Sequence, residues 1–147
     1  MTMPSARNVP RDLNVVGDIV RIHLSGSDTG GAFAVVEDVS QPGGGPPPHV
    51  HHNEDEGFHV LEGDVEFLLG DRWVRAAAGA SFFGPRGVPH TFRNVGATPS
   101  RVMATISPAG FERFFVEVDG LAASGPPTPE RLIALGQRYG LDFLPPG

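Results

Sequence analysis

Cysteine is absent from this chain of 147 residues. That excludes a disulfide scaffold and any thiolate metal site. Lysine is absent too, so all 11 basic side chains are arginines, and they are scattered along the chain. Against 17 acidic residues they leave a net charge of −6 and a pI near 5.4. A groove for nucleic acid needs a basic stripe, and none is present. No apolar run approaches the roughly 20 residues of a membrane span. The opening stretch MTMPSARNVPRD lacks the apolar centre of a signal peptide. The expectation is a soluble, cytoplasmic protein with neither nucleic acid nor membrane as partner.

What is abundant is punctuation: Gly 20 and Pro 15, in a chain that is 39% hydrophobic and 19% charged. Length points to one globular domain, and the Gly and Pro content points to many turns between short strands. Residues 1–16 read as an N-terminal arm. Strand-like runs follow at 17–24 (Ile19, Val20, Ile22, Leu24), closed by a turn at Ser25–Asp28, and at 32–39. The prolines in the loop 41–48 (Pro42, Pro46, Pro47, Pro48) remove backbone donors and exclude an inner strand. Residues 56–61 and 65–69 form a hairpin across Gly63-Asp64. Further short runs at 73–74, 81–83, 88–95 and 101–106 complete a β region over 17–108, which reads as an antiparallel sandwich or barrel. Beyond Pro108 the period changes. Phe111, Phe114, Phe115 and Val118 make a helical stripe. Thr128-Pro129-Glu130 opens a second helix with Leu132, Leu135 and Tyr139 on its apolar face. Residues 109–147 are thus a helical extension, expected on the outside of the barrel or against a partner subunit.

Chemistry concentrates in Gly43–Gly63, GGGPPPHVHHNEDEGFHVLEG. In a strand His49 and His51 share a face with Cα atoms about 6.5–7 Å apart, a separation from which two imidazoles can converge on one ion. Glu56 reaches the same ion if the turn 52–55 folds back, and His90 joins from another strand of a barrel. The competing reading is a solvated histidine-rich loop. His52 has the opposite parity and faces solvent or the barrel mouth, with a supporting or acid–base role kept open. His59 faces away from Glu56, His23 is structural, and Glu54 and Asp55 read as solvated turn acids. Phe58, Phe67, Phe82, Phe83, Phe92 and Met103 are candidates to line a cavity. Phe58 and Phe92 lead because they share faces with Glu56 and His90.

The spacing itself carries a resemblance. Gly43-x5-His49-x-His51-x4-Glu56-x6-Gly63 resembles the first motif of the cupin superfamily, and Gly79-x5-Pro85-x-Gly87-x2-His90-x3-Asn94 resembles the second. Fifteen residues separate them, as in compact single-domain cupins. The resemblance implies an all-β fold, a cupin double-stranded β-helix (jelly-roll barrel) carrying two C-terminal α-helices. It implies one divalent transition metal (Fe, Mn, Ni, Co, Cu or Zn) held by His49, His51, Glu56 and His90. Asn94 is then a turn residue and Gly63 a positive-φ turn. The C-terminal block SPAGFERFF and the tail TPERL…YGLDFLPP are similar to the small quercetin-dioxygenase-like cupins. From this follow an O2-using enzyme acting on a small enolic or aromatic substrate, Glu56 as a possible general base, and a homodimer. The alternatives are redox-neutral isomerisation, cyclisation or decarboxylation, and a non-catalytic small-molecule binding module.

Overall fold

Apolar and polar side chains alternate with a period of two along most of the β region, which puts one set on each face of a strand. In Ser100–Ser107 (β10) the buried set is Ser100, Val102, Ala104 and Ile106, while the residues between them stay partly or fully exposed. The computed structural model describes Ala6 and residues 8–145. Residues 1–5 and 7 of the expected N-terminal arm, and Pro146 of the tail, lie outside the described residues.

Ten strands precede the helical extension: Leu13–Val15 (β1), Asp18–Leu24 (β2), Ala34–Ser40 (β3), His49–His51 (β4), Asp55–Glu62 (β5), Asp64–Leu69 (β6), Arg72–Ala77 (β7), Ser81–Gly84 (β8), His90–Asn94 (β9) and β10. They form two antiparallel sheets, ordered β1-β2-β3-β10-β5-β8 and, with a final strand Leu141–Phe143 (β11), β11-β4-β9-β6-β7. Most neighbours in the sheets, such as β3–β10, β10–β5 and β4–β9, are distant in sequence, as in a jelly roll. Side chains from both sheets meet in one core that includes Val20, Val36, Val60, Val65, Phe67 and Ile106. The expected hairpin of 56–61 with 65–69 does not form. Instead β5 pairs with β10 and β8, and β6 pairs with β7 and β9. The chain crosses between the sheets at Gly63, whose φ of +93° is open to glycine and costly for other residues.

Three further expectations are corrected. Ser25–Asp28 is not a simple turn: Gly26–Thr29 forms a one-turn helix (α1), its entry fixed by reciprocal bonds between Ser25 and Asp28. The sheet begins inside the expected arm, because Leu13 and Val15 of β1 pair with Val20 and Asp18. The C-terminal extension is not wholly helical. After Glu112–Leu121 (α2) and Pro129–Arg138 (α3), β11 pairs with β4. Thr128 caps α3 by accepting from the Arg131 N–H, and Pro129 stands in its first turn. Asp119 on α2 accepts bonds from the Asn14 backbone and from Arg11, tying that helix to β1. Among the described residues no helix is long and apolar enough to cross a membrane.

Candidate metal centre

Antiparallel pairing sets His49 on β4 directly opposite His90 on β9. His51 lies two residues further along β4 and so on the same face. Glu56, on β5 of the other sheet, completes the group. One donor atom from each of the four side chains lies within 4.8 Å of the others, and all four residues are buried. Ring centroids are separated by 4.7 Å for His49–His90, 5.0 Å for His49–His51 and 5.5 Å for His51–His90. The Glu56 Oε1 atom pairs closely with His51 Nε2 and lies 3.8 Å from His90 Nε2.

The outer sides of the rings are held differently. His49 Nδ1 donates to the Pro47 carbonyl at 2.8 Å and His90 Nδ1 to the Val88 carbonyl at 3.0 Å. Each bond places the proton on Nδ1 and leaves Nε2 as the ligand atom. His51 Nδ1 instead forms a buried ion pair with Glu54 Oε1 at 3.3 Å. His90 Nε2 is buried and unpartnered. The unpartnered His90 Nε2 facing the other three donors, with three imidazoles, one carboxylate and no thiolate, fits a divalent transition metal.

Charge in the cluster is strongly polarised. Burial, with His51 and His90 beside it, pushes His49 down to about 3. Burial acts the same way on His51, but the Glu56 and Glu54 carboxylates overcome it and raise this ring to about 9. Burial would raise Glu56, yet His51 and His90 hold its carboxyl far below the ordinary range. A bound cation would take the place of the proton on His51, since ligand imidazoles must be neutral.

Local structure fixes the approach of the two strands. Asp55 accepts from the Arg86 backbone N–H at 2.9 Å and from its guanidinium at 3.1 Å, and Gly87 N–H donates to the His51 carbonyl at 2.8 Å. The turn 85–87 is thereby pinned to the ligand strands just before His90. A Cβ on Gly84 would stand 3.1 Å from the Phe58 ring and 3.3 Å from the His90 ring, so glycine lets both rings pack there. Asn94 Nδ2 donates to the Ser40 and Thr98 carbonyls, and its Oδ1 accepts from Gly96, as expected of a turn residue.

His49, His51 and Glu56 line one part of a cavity of about 170 Å³, whose other walls are mostly apolar. Phe58 and Phe92 are among them, as parity indicates. Phe67 is not. It is buried behind them, with ring centroids 5.3 Å from Phe58 and 5.7 Å from Phe92, and Phe82 stacks on it at 4.6 Å. Met103 is also misplaced by the cavity expectation: it lies on the outward row of β10, opposite Glu37 and His59. Phe83 is 58% exposed. His52 points outward and bonds Asp142 at 2.7 Å, away from the metal cluster. His59 bonds Ser81 and His23 bonds Glu37. Glu54 is buried rather than solvated, and Asp55 is held by Arg86. Sequence reasoning missed Asp18 and Asp38, which line the cavity, although their parity with Val20 and Val36 marks them as inward. It also missed that Phe111, Phe114, Phe115 and Phe143 of the C-terminal extension wall the cavity rather than cover the outside of the barrel.

Comparison with known proteins adds relatives to this geometry. Residues 37–106 match the cupin domain family. The chain is 29% identical over 136 residues to germin-like protein 1-1 of Oryza sativa subsp. japonica, covering 89% of this chain and 62% of that one. It spans less than two thirds of the length of the curated relatives it matches. Among solved structures, an RmlC-like cupin protein from Desulfovibrio desulfuricans is 31% identical, with a TM-score of 0.53 and coverage of 62% of this chain and 82% of that one. The polyketide cyclase RemF from Streptomyces resistomycificus is 26% identical, with a TM-score of 0.57 and coverage of 73% and 79%.

Proposed function

This chain belongs to the cupin superfamily, and on that premise we propose that it is a metal-dependent enzyme acting on a small, largely apolar substrate that carries enolic or phenolic oxygens. The observation that carries this reading is the convergence of four buried donors on an apolar cavity. His49, His51, His90 and Glu56 would hold the ion. A divalent ion there supplies Lewis acidity and, if redox-active, a partner for O2. The chain's own side chains do the remainder. Phe58 and Phe92 exclude water and orient a flat substrate against the donors. The Glu56 carboxylate accepts the proton of an enolisable or phenolic group at Oε1.

Oxygen-dependent oxidation is the leading chemistry we assign, with the protein acting as a homodimer in the cytoplasm. The similarity to a polyketide cyclase favours a redox-neutral ring closure as the second reading. Replacing His49 and His51 together with alanine is expected to abolish both bound metal, measured by elemental analysis, and turnover. Turnover that survives without metal overturns the enzyme reading. Turnover that persists under anaerobic conditions selects the redox-neutral chemistry.

A further inference from the structure

The cavity has a second polar end. Asp18 on β2 and Asp38 on β3 line the same space as His51 and Glu56. Register separates the two ends. Asp38 lies across from Val102, whereas Glu56 lies across from Ile106. Four residue steps along β10 separate them, about 13 Å at 3.3 Å per residue. Val20, Val36 and Phe92 are among the walls of the cavity.

Proton accounting shows what this end lacks. Ser40 Oγ lies 2.7 Å from Asp18 Oδ2 and 3.1 Å from Asp38 Oδ1, and it has one hydrogen to give. Burial, and the acid group of Asp18 bonded to it, push the Asp38 carboxyl well above the ordinary range. The raised carboxyl favours a proton shared between Asp38 and Asp18. The two carboxyl groups carry four oxygens, and among the described residues the one other side chain that hydrogen-bonds them is Ser40, so acceptor capacity on Asp38 is left over. Among the described residues no arginine or histidine hydrogen-bonds either acid. Ser100, the cross-strand partner of Ser40 on the buried row of β10, is fully buried with its hydroxyl unpartnered. Two acids and an orphan hydroxyl in an apolar interior are costly unless something completes their hydrogen bonds.

We propose that this end recognises a hydroxyl group of the substrate, which is then an elongated, mostly apolar molecule with chelating oxygens at one end and a hydroxyl that donates to Asp38 at the other. The proposal rests on the metal reading above and extends it to a substrate class.

The test uses the full chain loaded with Zn(II) and three probes. These are flavonol, whose hydroxy-ketone chelates divalent metals, and its analogues with a para hydroxyl or a para methoxy group on the pendant phenyl ring. Affinities are read by fluorescence titration with and without Zn(II). The hydroxyl analogue is expected to bind about tenfold more tightly than flavonol, the worth of one buried hydrogen bond. The methoxy analogue, which cannot donate, should show no such gain. In Asp38→Leu the ratio of hydroxyl analogue to flavonol should fall to about one, whereas Asp38→Asn, which keeps a carbonyl acceptor, should restore it. Equal binding of all three probes to the wild-type protein, with Zn(II) still required, overturns the hydroxyl site and spares the metal reading. Binding that is indifferent to Zn(II) overturns the metal reading instead. Preference that survives in Asp38→Leu, or no binding by any probe, also overturns the proposal. If Asp38→Leu does not fold, the hydroxyl-against-methoxy comparison in the wild-type protein decides alone.

Discussion

Glu37 and Asp38 are consecutive on β3, yet their carboxyl groups are driven in opposite directions. Glu37 faces outward but is only 2% exposed, because basic side chains cover it. Arg101 Nε stands 2.7 Å, His23 Nε2 2.8 Å and Arg21 Nη1 3.3 Å from its oxygens. Asp38 faces the cavity, and its neighbours are another acid and a serine. Burial pushes both groups up. For Glu37 the bonds from Arg101 and His23 reverse that push and lower the carboxyl, whereas for Asp38 the neighbouring Asp18 adds to it. The difference lies in what surrounds each acid. The outer acid is a structural clamp across β2, β3 and β10, and the inner one is an acceptor held in reserve.

The largest effect expected from breaking this contrast comes from the outer side. Glu37→Gln removes the charge that Arg21, Arg101 and the His23 ring share. Breaking a fully buried ion pair costs about 3–5 kcal/mol, but Arg21, His23 and Arg101 are partly exposed and regain water, so about 2 kcal/mol is expected. Urea denaturation at neutral pH measures it. The pH dependence has a definite sign. Glu37 is lowered in the folded state, so its contribution is present above its ordinary value and is lost as pH falls through the lowered one. The variant should therefore lose part of the acid limb of the stability profile. A cost below about 0.5 kcal/mol, the range of an exposed pair, would mean that the clamp is inert.

The same strand shows what the sequence could and could not disclose. Alternation along 32–39 identifies the strand and marks one row as inward, but Asp38 on that row contradicts the apolar pattern, and nothing local says that Asp18 will meet it. That encounter depends on the β2–β3 register. His49, His51, Glu56 and His90 were legible for the opposite reason, because their spacing within two compact stretches encodes their meeting. Met103 failed as a cavity residue because the inward row of β10 begins at Ser100, a parity that its apolar run alone does not reveal. Glu54 sits in the turn between β4 and β5, where burial follows no period. Three-residue β11 is too short to show one, and what makes it a strand is the free edge of β4.

A smaller and opposite effect is expected on the inner side. Asp38 is raised in the folded state, so its favourable contribution is fully present below the ordinary carboxyl value of about 3.9 and declines as pH rises through the raised one. Asp38→Asn can donate to Asp18 but cannot ionise. Its stability should not fall across that window, leaving it about 1 kcal/mol above the wild-type protein at the alkaline end, the scale of one buried hydrogen bond. Thermal melts from acid to mildly alkaline pH check the divergence. Parallel profiles for the two proteins would show that Asp38 ionises as freely as an exposed acid, and the inner half of the contrast would collapse.

The smallest effect tests whether the division between faces extends to β4. His51 and His52 are neighbours, and their side chains are 2% and 52% exposed. His52 meets Asp142 of β11 at 2.7 Å, but the strands are also held by backbone pairing, including His52 N–H to the Gly140 carbonyl at 2.9 Å. An exposed pair contributes under about 1 kcal/mol. His52→Ala is therefore expected to cost about 0.5 kcal/mol or less in urea denaturation and to leave metal content by elemental analysis unchanged. Loss of metal from this variant would make β11 part of what aims His49 and His51, because its register places Phe143 opposite His49 and Leu141 opposite His51. The outer face of β4 would then act on the site through backbone position, and the separation of the two faces would hold for β3 alone.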